Sequence, residues 1–232
     1  MEQKAINNKI QTKVFEELCD AIGRENVFDN IEERVCYSFD ATKEKSMPDL
    51  VISPRSTEQV SNIVSIANKH NISICPYGVG TGFSGGDPLV KSGISLDMKN
   101  MNRIVELNAK DLMVTVEPGV VTKDLQDEAA KHRLFYPPEP GSAGFSTIGG
   151  NVAECTGGMT GMKYGVTRDY VLALEIVLPD GSVINTGSKT LRSVAGYDIT
   201  RFFVGSEGTL GVLTKITLKL LPLPAKVGTV MA

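Results

Sequence analysis

Between Pro76 and Gly86 the chain reads PYGVGTGFSGG, and five of these positions are glycine: Gly78, Gly80, Gly82, Gly85 and Gly86. So few side chains stand on this stretch that its backbone is the surface a ligand would meet. Glycine reaches positive φ without steric penalty, so successive N–H groups can turn toward one point, and a concave set of such donors binds anions. A phosphate or pyrophosphate is the expected ligand. Glycine clusters also make long surface loops, but the apolar run Ile72 to Cys75 leads straight into this one and supplies a strand to hold it.

Two familiar phosphate motifs fail here. Gly80-x-Gly82-x-x-Gly85 has the letters of the dinucleotide fingerprint, which needs a helix to begin within it; Asp87 to Gly93, with Pro88 and Gly93, is poor helix material. A Walker loop needs Gly-Lys-Ser/Thr after its spacer, and the stretch contains no lysine. The cradle is of another kind.

The chain's 232 residues are enough for a substantial core, and its formal charge of −3, with acids and bases interspersed, gives no reason to expect nucleic acid or an anionic membrane as partner. Cys19, Cys36, Cys75 and Cys155 lack C-x-x-C spacing, and His70 and His132 are the two histidines, so a zinc site is not expected. Isolated buried thiols in a reducing compartment are the reading. The first residues carry no secretory apolar region, and no run is long enough for a transmembrane segment, which implies a cytoplasmic protein. The final LKLLPLPAKVGTVMA closes no further element, and another domain is expected beyond it.

Ile10, Val14, Leu18 and Ile22 recur at helical spacing with Phe15 beside them, giving an amphipathic helix that ends near Gly23. Asn26 to Pro48 has no readable period, although Tyr37 to Asp40 could be a contact surface. Leu50-Val51-Ile52 is a short strand. Ser56 and Gln59 then offer a capping box before a helix with Val60, Ile63, Val64 and Ala67 inward, and Ile72 to Cys75 is the next strand. A right-handed βαβ unit makes the two strands parallel and puts the glycine loop at the second strand's carboxyl end, where open α/β sheets bind ligands. His70 falls at the helix end and suits its dipole.

Ile94 to Asp97, Arg103 to Leu107 and Met113 to Val116 read as strands, with Asn108 to Asp111 a turn. Pro118-Gly119 stops the sheet, and Thr122 caps a helix to about His132 with Leu125 and Ala129 inward. From Pro137 to Gly165 the chain is again rich in glycine, and Ser146 to Ala153 combines hydroxyls with a possible helix start, a second place to hold anionic or amide-like atoms. Val171 to Val177, Pro179 to Ser182 and Val183-Ile184 make a hairpin, and Ile199 to Val204 a short helix. A third cluster, Gly205 to Gly211, precedes a strand from Val212 to Leu220 whose alternation predicts one exposed face. Glu207 could bond a ligand hydroxyl or ring N–H, or cap the turn.

Taken together, PYGVGTGFSGG, PPEPGSAGFSTIGGNVAECTGG, MKYGVTRDYVLALEIVLPDG and GSEGTLGVLTKITLKLLPLP resemble the FAD-binding domain of the vanillyl-alcohol oxidase and para-cresol methylhydroxylase superfamily. The nearest branch is that of D-lactate dehydrogenase and the flavin-binding D chain of glycolate oxidase. The resemblance implies an α+β, two-lobed domain of the para-cresol methylhydroxylase type: a small βαβ-containing lobe plus a larger mixed-sheet lobe. Its boundaries would be a lead-in over 1–46, the FAD-binding domain over 47–224 and a tail over 225–232, with the C-terminal substrate cap absent.

By position, the resemblance implies pyrophosphate contacts from Pro76, Gly78, Val79, Gly80, Thr81, Gly82, Ser84, Gly85 and Gly86. Pro140, Gly141, Ser142, Ser146, Thr147, Gly149, Gly150 and Asn151 would lie along the flavin, and Gly157, Gly158, Lys163, Tyr164 and Gly165 would continue that wall. Glu207, Gly208 and Val212 would lie near the adenosine and diphosphate. Some members attach flavin through a histidine just after the first Gly-Gly; this chain has Asp87 there and no cysteine in Gly141 to Gly150. Noncovalent FAD is therefore expected, with Cys155 a buried thiol.

The implied reaction is oxidation of a small 2-hydroxy acid of D-lactate or glycolate type by hydride transfer to flavin. The substrate would be met through a missing cap or a second chain, and electrons would pass to an electron-transfer flavoprotein, an iron–sulfur subunit or a quinone. No catalytic residue is expected in these residues, because neither histidine falls in a glycine block. The protein could be membrane-associated through partners, and an uncovered cap-facing surface would promote self-association. A noncatalytic flavin-binding electron-transfer subunit is the alternative. An enolpyruvyl reductase or an ether-lipid synthase on the same domain comes third, with GSEGTLG and LPDG arguing against the reductase. A nonflavin nucleotide-binding module would be colourless.

Overall fold

The computed structural model describes residues 12–42, 44–86, 93–192, 194–226 and 228. The small lobe begins with α1 (Thr12–Ile22), whose Val14, Leu18 and Ile22 are buried as their spacing requires. Ile10 lies outside the described residues. Gly23, at φ 89°, ends the helix. After it come β1 (Val27–Phe28), α2 (Ile31–Cys36) and β2 (Leu50–Ile52), so Asn26 to Pro48 holds two short elements that have no period of their own. The lead-in is continuous with the lobe, because β1 pairs antiparallel with β2 and α1 packs into the same core as α3 (Thr57–Lys69).

Ser56 caps α3 by accepting from the Gln59 amide at 3.2 Å. The Gln59 side chain returns to the amide of Arg55 at 2.7 Å, one residue before the cap. At the far end His70 lies 3.0 Å from Glu17, tying α3 to α1. Both histidines sit at helix C-termini, His132 beside Glu128, and neither faces a ligand site.

The lobe's sheet is completed by β3 (Ser73–Tyr77) and β4 (Gly93–Asp97), in the order β1-β2-β4-β3. Strands β2 and β3 are parallel, as a βαβ unit demands, yet they do not touch: β4 lies between them, with Ile94 opposite both Leu50 and Ile74. All five residues of β4 are buried, which suits a central parallel strand.

The large lobe contains β5 (Ile104–Asn108), β6 (Met113–Val116), α4 (Thr122–Lys131), β7 (Leu134–Phe135), α5 (Ile148–Glu154), α6 (Gly161–Tyr164), β8 (Val171–Val177), β9 (Val183–Gly187), α7 (Ile199–Phe203), β10 (Val212–Lys219) and β11 (Leu221–Pro222). Its main sheet, ordered β5-β6-β10-β8-β9, is antiparallel throughout, so the mixed pairing expected here falls in the small lobe instead. One face buries Leu174, Ile176, Ile216 and Leu218 against Leu125, Ala129, Ile148 and Val152.

The other face meets the small lobe, whose core takes in Val177 and Val212. Strand β10 is therefore not half exposed as its alternation predicted; it is central, and every residue in it is buried or half-buried. At this joint the Glu175 carboxylate accepts from Thr57 at 2.6 Å, Thr214 at 2.9 Å and Lys215 at 3.0 Å. Burial alone would raise the pKa of Glu175, but the hydrogen bonds outweigh it and hold the group below its ordinary 4.5.

Thr122 also differs from expectation. It is the first residue of α4, and Val121 is the cap. The Thr122 hydroxyl is engaged with Ser146 at 2.9 Å and accepts from the Asn151 amide at 2.6 Å, so a buried polar cluster claims the atom that capping would have used.

Candidate functional site

A cleft of about 970 Å³ lies at the meeting of the lobes, at the upper end of the roughly 300–1,000 Å³ of small-molecule sites. Its first wall is the glycine loop. Strand β3 runs on through Pro76 and Tyr77, and the Tyr77 ring packs edge-on against Tyr37 at 5.0 Å. The Tyr77 hydroxyl donates to the Phe39 carbonyl at 3.1 Å. Tyr37 in turn donates to the buried Asp97 at 2.9 Å, beside Ser53 at 3.0 Å. Burial first, then the Asp97 charge, pushes the Tyr37 hydroxyl far above the ordinary tyrosine range, which keeps it a donor. The root of the loop is thus fixed by a buried network, and Tyr37 to Asp40 is a support within the fold. Ala41 donates to the Gly82 carbonyl at 3.3 Å and joins the wall.

The second wall is α5 and the chain on either side of it. Thr147 caps α5 by accepting from Gly150 at 3.3 Å. Its hydroxyl also lies against Gly78, where a Cβ would come within 2.9 Å, so the first two walls touch here through a glycine. Gly149 packs on Pro118, leaving 2.6 Å for a Cβ, and a Cβ on Gly158 would collide with the Glu139 carbonyl. Ser84, at the loop tip, donates to the Glu154 carboxylate at 2.9 Å and links the walls a second time.

The third wall docks on the end of α5 through its backbone, Gly205 donating to Val152 at 2.9 Å and Glu207 to Ala153 at 3.0 Å. A Cβ on Gly208 would stand 3.2 Å from the Pro76 ring. The Glu207 carboxylate reaches the first wall, 3.3 Å from where a Gly86 Cβ would stand.

Most of the residues singled out in the sequence meet on this cleft. Pro76, Gly78, Val79, Gly80, Thr81, Gly82, Ser84 and Gly86 line it from the first segment. Pro140, Gly141, Ser142, Ser146, Thr147, Gly149, Gly150, Asn151, Gly157 and Gly158 line it from the second, and Glu207, Gly208 and Val212 from the third. Gly85, Lys163, Tyr164 and Gly165 do not line it. Tyr164 packs edge-on against Phe135 at 5.3 Å and accepts from the Tyr170 hydroxyl at 2.6 Å through its carbonyl, while the Lys163 ammonium lies 5.0 Å over the Tyr164 ring. That pair serves α6 and its neighbours.

Ala41, Met98, Pro118 and Glu154 also line the cleft and were not foreseen. Cys155 is likewise on the wall and only half-buried, with φ 51° at the end of α5, rather than a buried thiol; Cys36 is exposed.

Among the described residues the lining contains no lysine, arginine or histidine and carries the Glu154 and Glu207 carboxylates, so an anion here would have to be held by backbone N–H groups and hydroxyls. The walls are close-packed at Gly78, Gly149 and Gly158 and open at Gly141. Both features suit a long, flat-ended dianion such as FAD. Among the described residues no helix is long and apolar enough to cross a membrane, and no group of three or more His, Cys, Asp and Glu could hold a metal.

The sequence matches the family described as an FAD binding domain over residues 48–187. It is 48% identical to glycolate oxidase subunit GlcD of Bacillus subtilis, over 96% of this chain and 48% of that protein. It is 37% identical to a D-lactate dehydrogenase of Anaerostipes hadrus, over 95% of this chain and 46% of that protein. The chain spans about half the length of these curated relatives.

Among solved structures, an alkyldihydroxyacetonephosphate synthase aligns with a TM-score of 0.83 at 27% identity, covering 93% of this chain and 41% of the other. p-Cresol methylhydroxylase aligns with a TM-score of 0.82 at 23% identity, covering 92% and 44%, which establishes the shared fold. With the two-lobed α+β architecture and the glycine-walled cleft at its joint, these matches show that the chain belongs to the FAD binding domain family and has the para-cresol methylhydroxylase-type fold.

Proposed function

We propose that the chain is the FAD-holding part of an oxidoreductase acting on a small 2-hydroxy acid of D-lactate or glycolate type. The observation that carries this reading is the single cleft on which three separate glycine segments meet, in a chain that is 48% identical to a protein named for glycolate oxidation. The backbone of Gly78 to Gly86 would cradle the pyrophosphate. Thr147, the close-packed Gly149 and Gly150 beside it would support the flavin side, with Glu207, Gly208 and Val212 toward the adenosine.

When bound, FAD supplies the acceptor for a hydride from the substrate carbon. The residues described here would hold and orient it and exclude water, and the substrate's proton would go to a base outside them. FAD is taken to be noncovalent: neither histidine lines the cleft, although half-buried Cys155 stands on its wall. The whole enzyme's partners would be a substrate-binding domain or second chain and an electron-transfer flavoprotein or iron–sulfur subunit. Four free cysteines favour a reducing, cytoplasmic compartment, with any membrane association made through partners.

The test is the visible spectrum of the purified chain, before and after acid precipitation, with FAD added back as control. Oxidised-flavin bands that acid releases into the supernatant support the reading. Flavin that stays with the precipitate would implicate Cys155 and overturn noncovalent binding. A colourless chain that takes up no FAD would overturn the assignment of the cleft.

A further inference from the structure

We infer that Glu117 and Arg103, which do not line the cleft, are its positioning pair: their ion pair sets the turn that both lobes use as a common wall, and through it FAD retention. The inference rests on the reading that FAD occupies the cleft.

Glu117 directly follows β6 and is 1% exposed. A carboxylate so buried is costly unless its lone pairs are met. One residue meets them all. Arg103 donates to Glu117 through its backbone amide at 2.9 Å, through Nε at 3.1 and 3.2 Å, and through Nη2 at 2.7 Å, while Glu117 returns its own amide to the Arg103 carbonyl at 3.0 Å. A planar guanidinium fork fixes direction as well as distance. The pair therefore closes the open end of the β5–β6 ladder and sets the angle at which the chain leaves for Pro118 and Gly119.

That angle matters because the turn is packed on every side. The Gly119 amide donates to Met101 at 2.7 Å. A Cβ on Gly119 would have only 2.5 Å to the Met98 carbonyl and 2.8 Å to that of Met101, so the turn sits directly on the chain that leaves β4 in the small lobe. On its other side Pro118 accepts from Gly149 at 2.7 Å and Val120 from Ile148 at 2.8 Å, which seats the start of α5. Met98, Pro118 and Gly149 all line the cleft. A few tenths of an ångström lost at Glu117 would reach both walls at once, since neither glycine contact has room to absorb them.

Arg103→Ala is the main test, because this side chain is 72% exposed and its removal leaves no cavity. Glu117→Gln, which keeps the shape and removes the charge, is the second variant. Amide hydrogen exchange on the chain without ligand reads the turn itself: exchange at Gly119, Val120, Ile148 and Gly149 should rise about tenfold, with α1 and α3 unchanged. FAD titrations should show the dissociation constant rising about tenfold and the visible circular dichroism of bound flavin altered, with Arg103→Lys recovering part of both.

Faster exchange throughout the chain would mean general destabilisation and overturn the inference, as would unaltered exchange at those four amides. Unchanged FAD affinity alongside locally faster exchange would overturn the link to the cofactor. If the unmodified chain takes up no FAD, the occupancy reading fails by that result alone, and the link to the cofactor falls with it.

Discussion

Glycine does two different jobs in the first and second walls of the cleft. In the loop after β3, Gly85 has φ 76° and no described residue within 4 Å of a would-be Cβ; glycine there permits a backbone shape. Around α5, Gly149 and Gly158 are pressed against Pro118 and Glu139, so glycine there permits contact. Neither use belongs to one wall alone: Gly78 in the first is held against Thr147, and Gly141 in the second has no described neighbour where a Cβ would stand. Composition does not distinguish them; only the neighbours do.

The sharpest way to break the contrast is Gly158→Ala. Its methyl would fall on the Glu139 backbone, which cannot rotate away, and the chain should lose about 3 kcal/mol, the upper end of ordinary overpacking. A urea unfolding midpoint within error of the unmodified chain would mean that Gly158 is as open as Gly85.

The next effect concerns the joint that keeps the walls at a fixed separation. Glu175→Ala should cost about 2 kcal/mol, because Thr57, Thr214 and Lys215 lose a charged acceptor. The pKa of Glu175 is depressed in the folded chain, so its contribution is fully present above its ordinary 4.5 and is lost as pH falls through the folded value. Stability measured from pH 6 downward should accordingly fall less steeply in the variant. Parallel acid limbs would remove Glu175 from the joint.

Gly85→Ala should cost about 1 kcal/mol, all of it backbone strain at positive φ, since no described residue lies within 4 Å of the added methyl. Thermal denaturation of the ligand-free chain reads it, and a cost matching that of Gly158→Ala would erase the distinction between shape and contact. Ser84→Ala is the mildest change. It cuts the exposed link to Glu154 and should cost about 0.5 kcal/mol in the ligand-free chain. A larger loss would show that the loop tip depends on α5 for its shape.

Much of this was legible in sequence, for reasons the same contrast explains. Helix α3 and strands β2 and β3 announced themselves because their side chains face one core. The glycine segments announced themselves because nothing else could be there. The insertion of β4 between β2 and β3 was not legible, since periodicity gives each strand's faces but not its neighbours. Nor was the shielding of β10, whose polar residues Thr214 and Lys215 turn to a carboxylate on the adjacent strand rather than to water.

Within the cleft, Pro118 reads as a sheet breaker and Met98 falls between the strands the pattern marks, and their placement depends on contacts across the lobes. Lys163 and Tyr164 erred in the other direction. They lie in a glycine-rich run, but an aromatic ring beside Phe135 finds a better place in packing than on a wall. Thr122 was misread for a similar reason, its hydroxyl being taken by Ser146 and Asn151, residues that no local pattern connects to it.

The order β1-β2-β4-β3 makes β3 and β4 parallel neighbours, and what joins them covalently is the stretch that begins with the glycine loop. Parallel neighbours need a crossover of a dozen or so residues, most often a helix. Here the binding loop begins the crossover. Its length is thus held by two masters. Shortening it to grip a smaller ligand would shorten the return path between two paired strands and drag them out of step, a one-residue slip being enough to turn a strand inside out. Diversification at this site should therefore proceed by substitution, with insertions and deletions accumulating elsewhere on the cleft's rim.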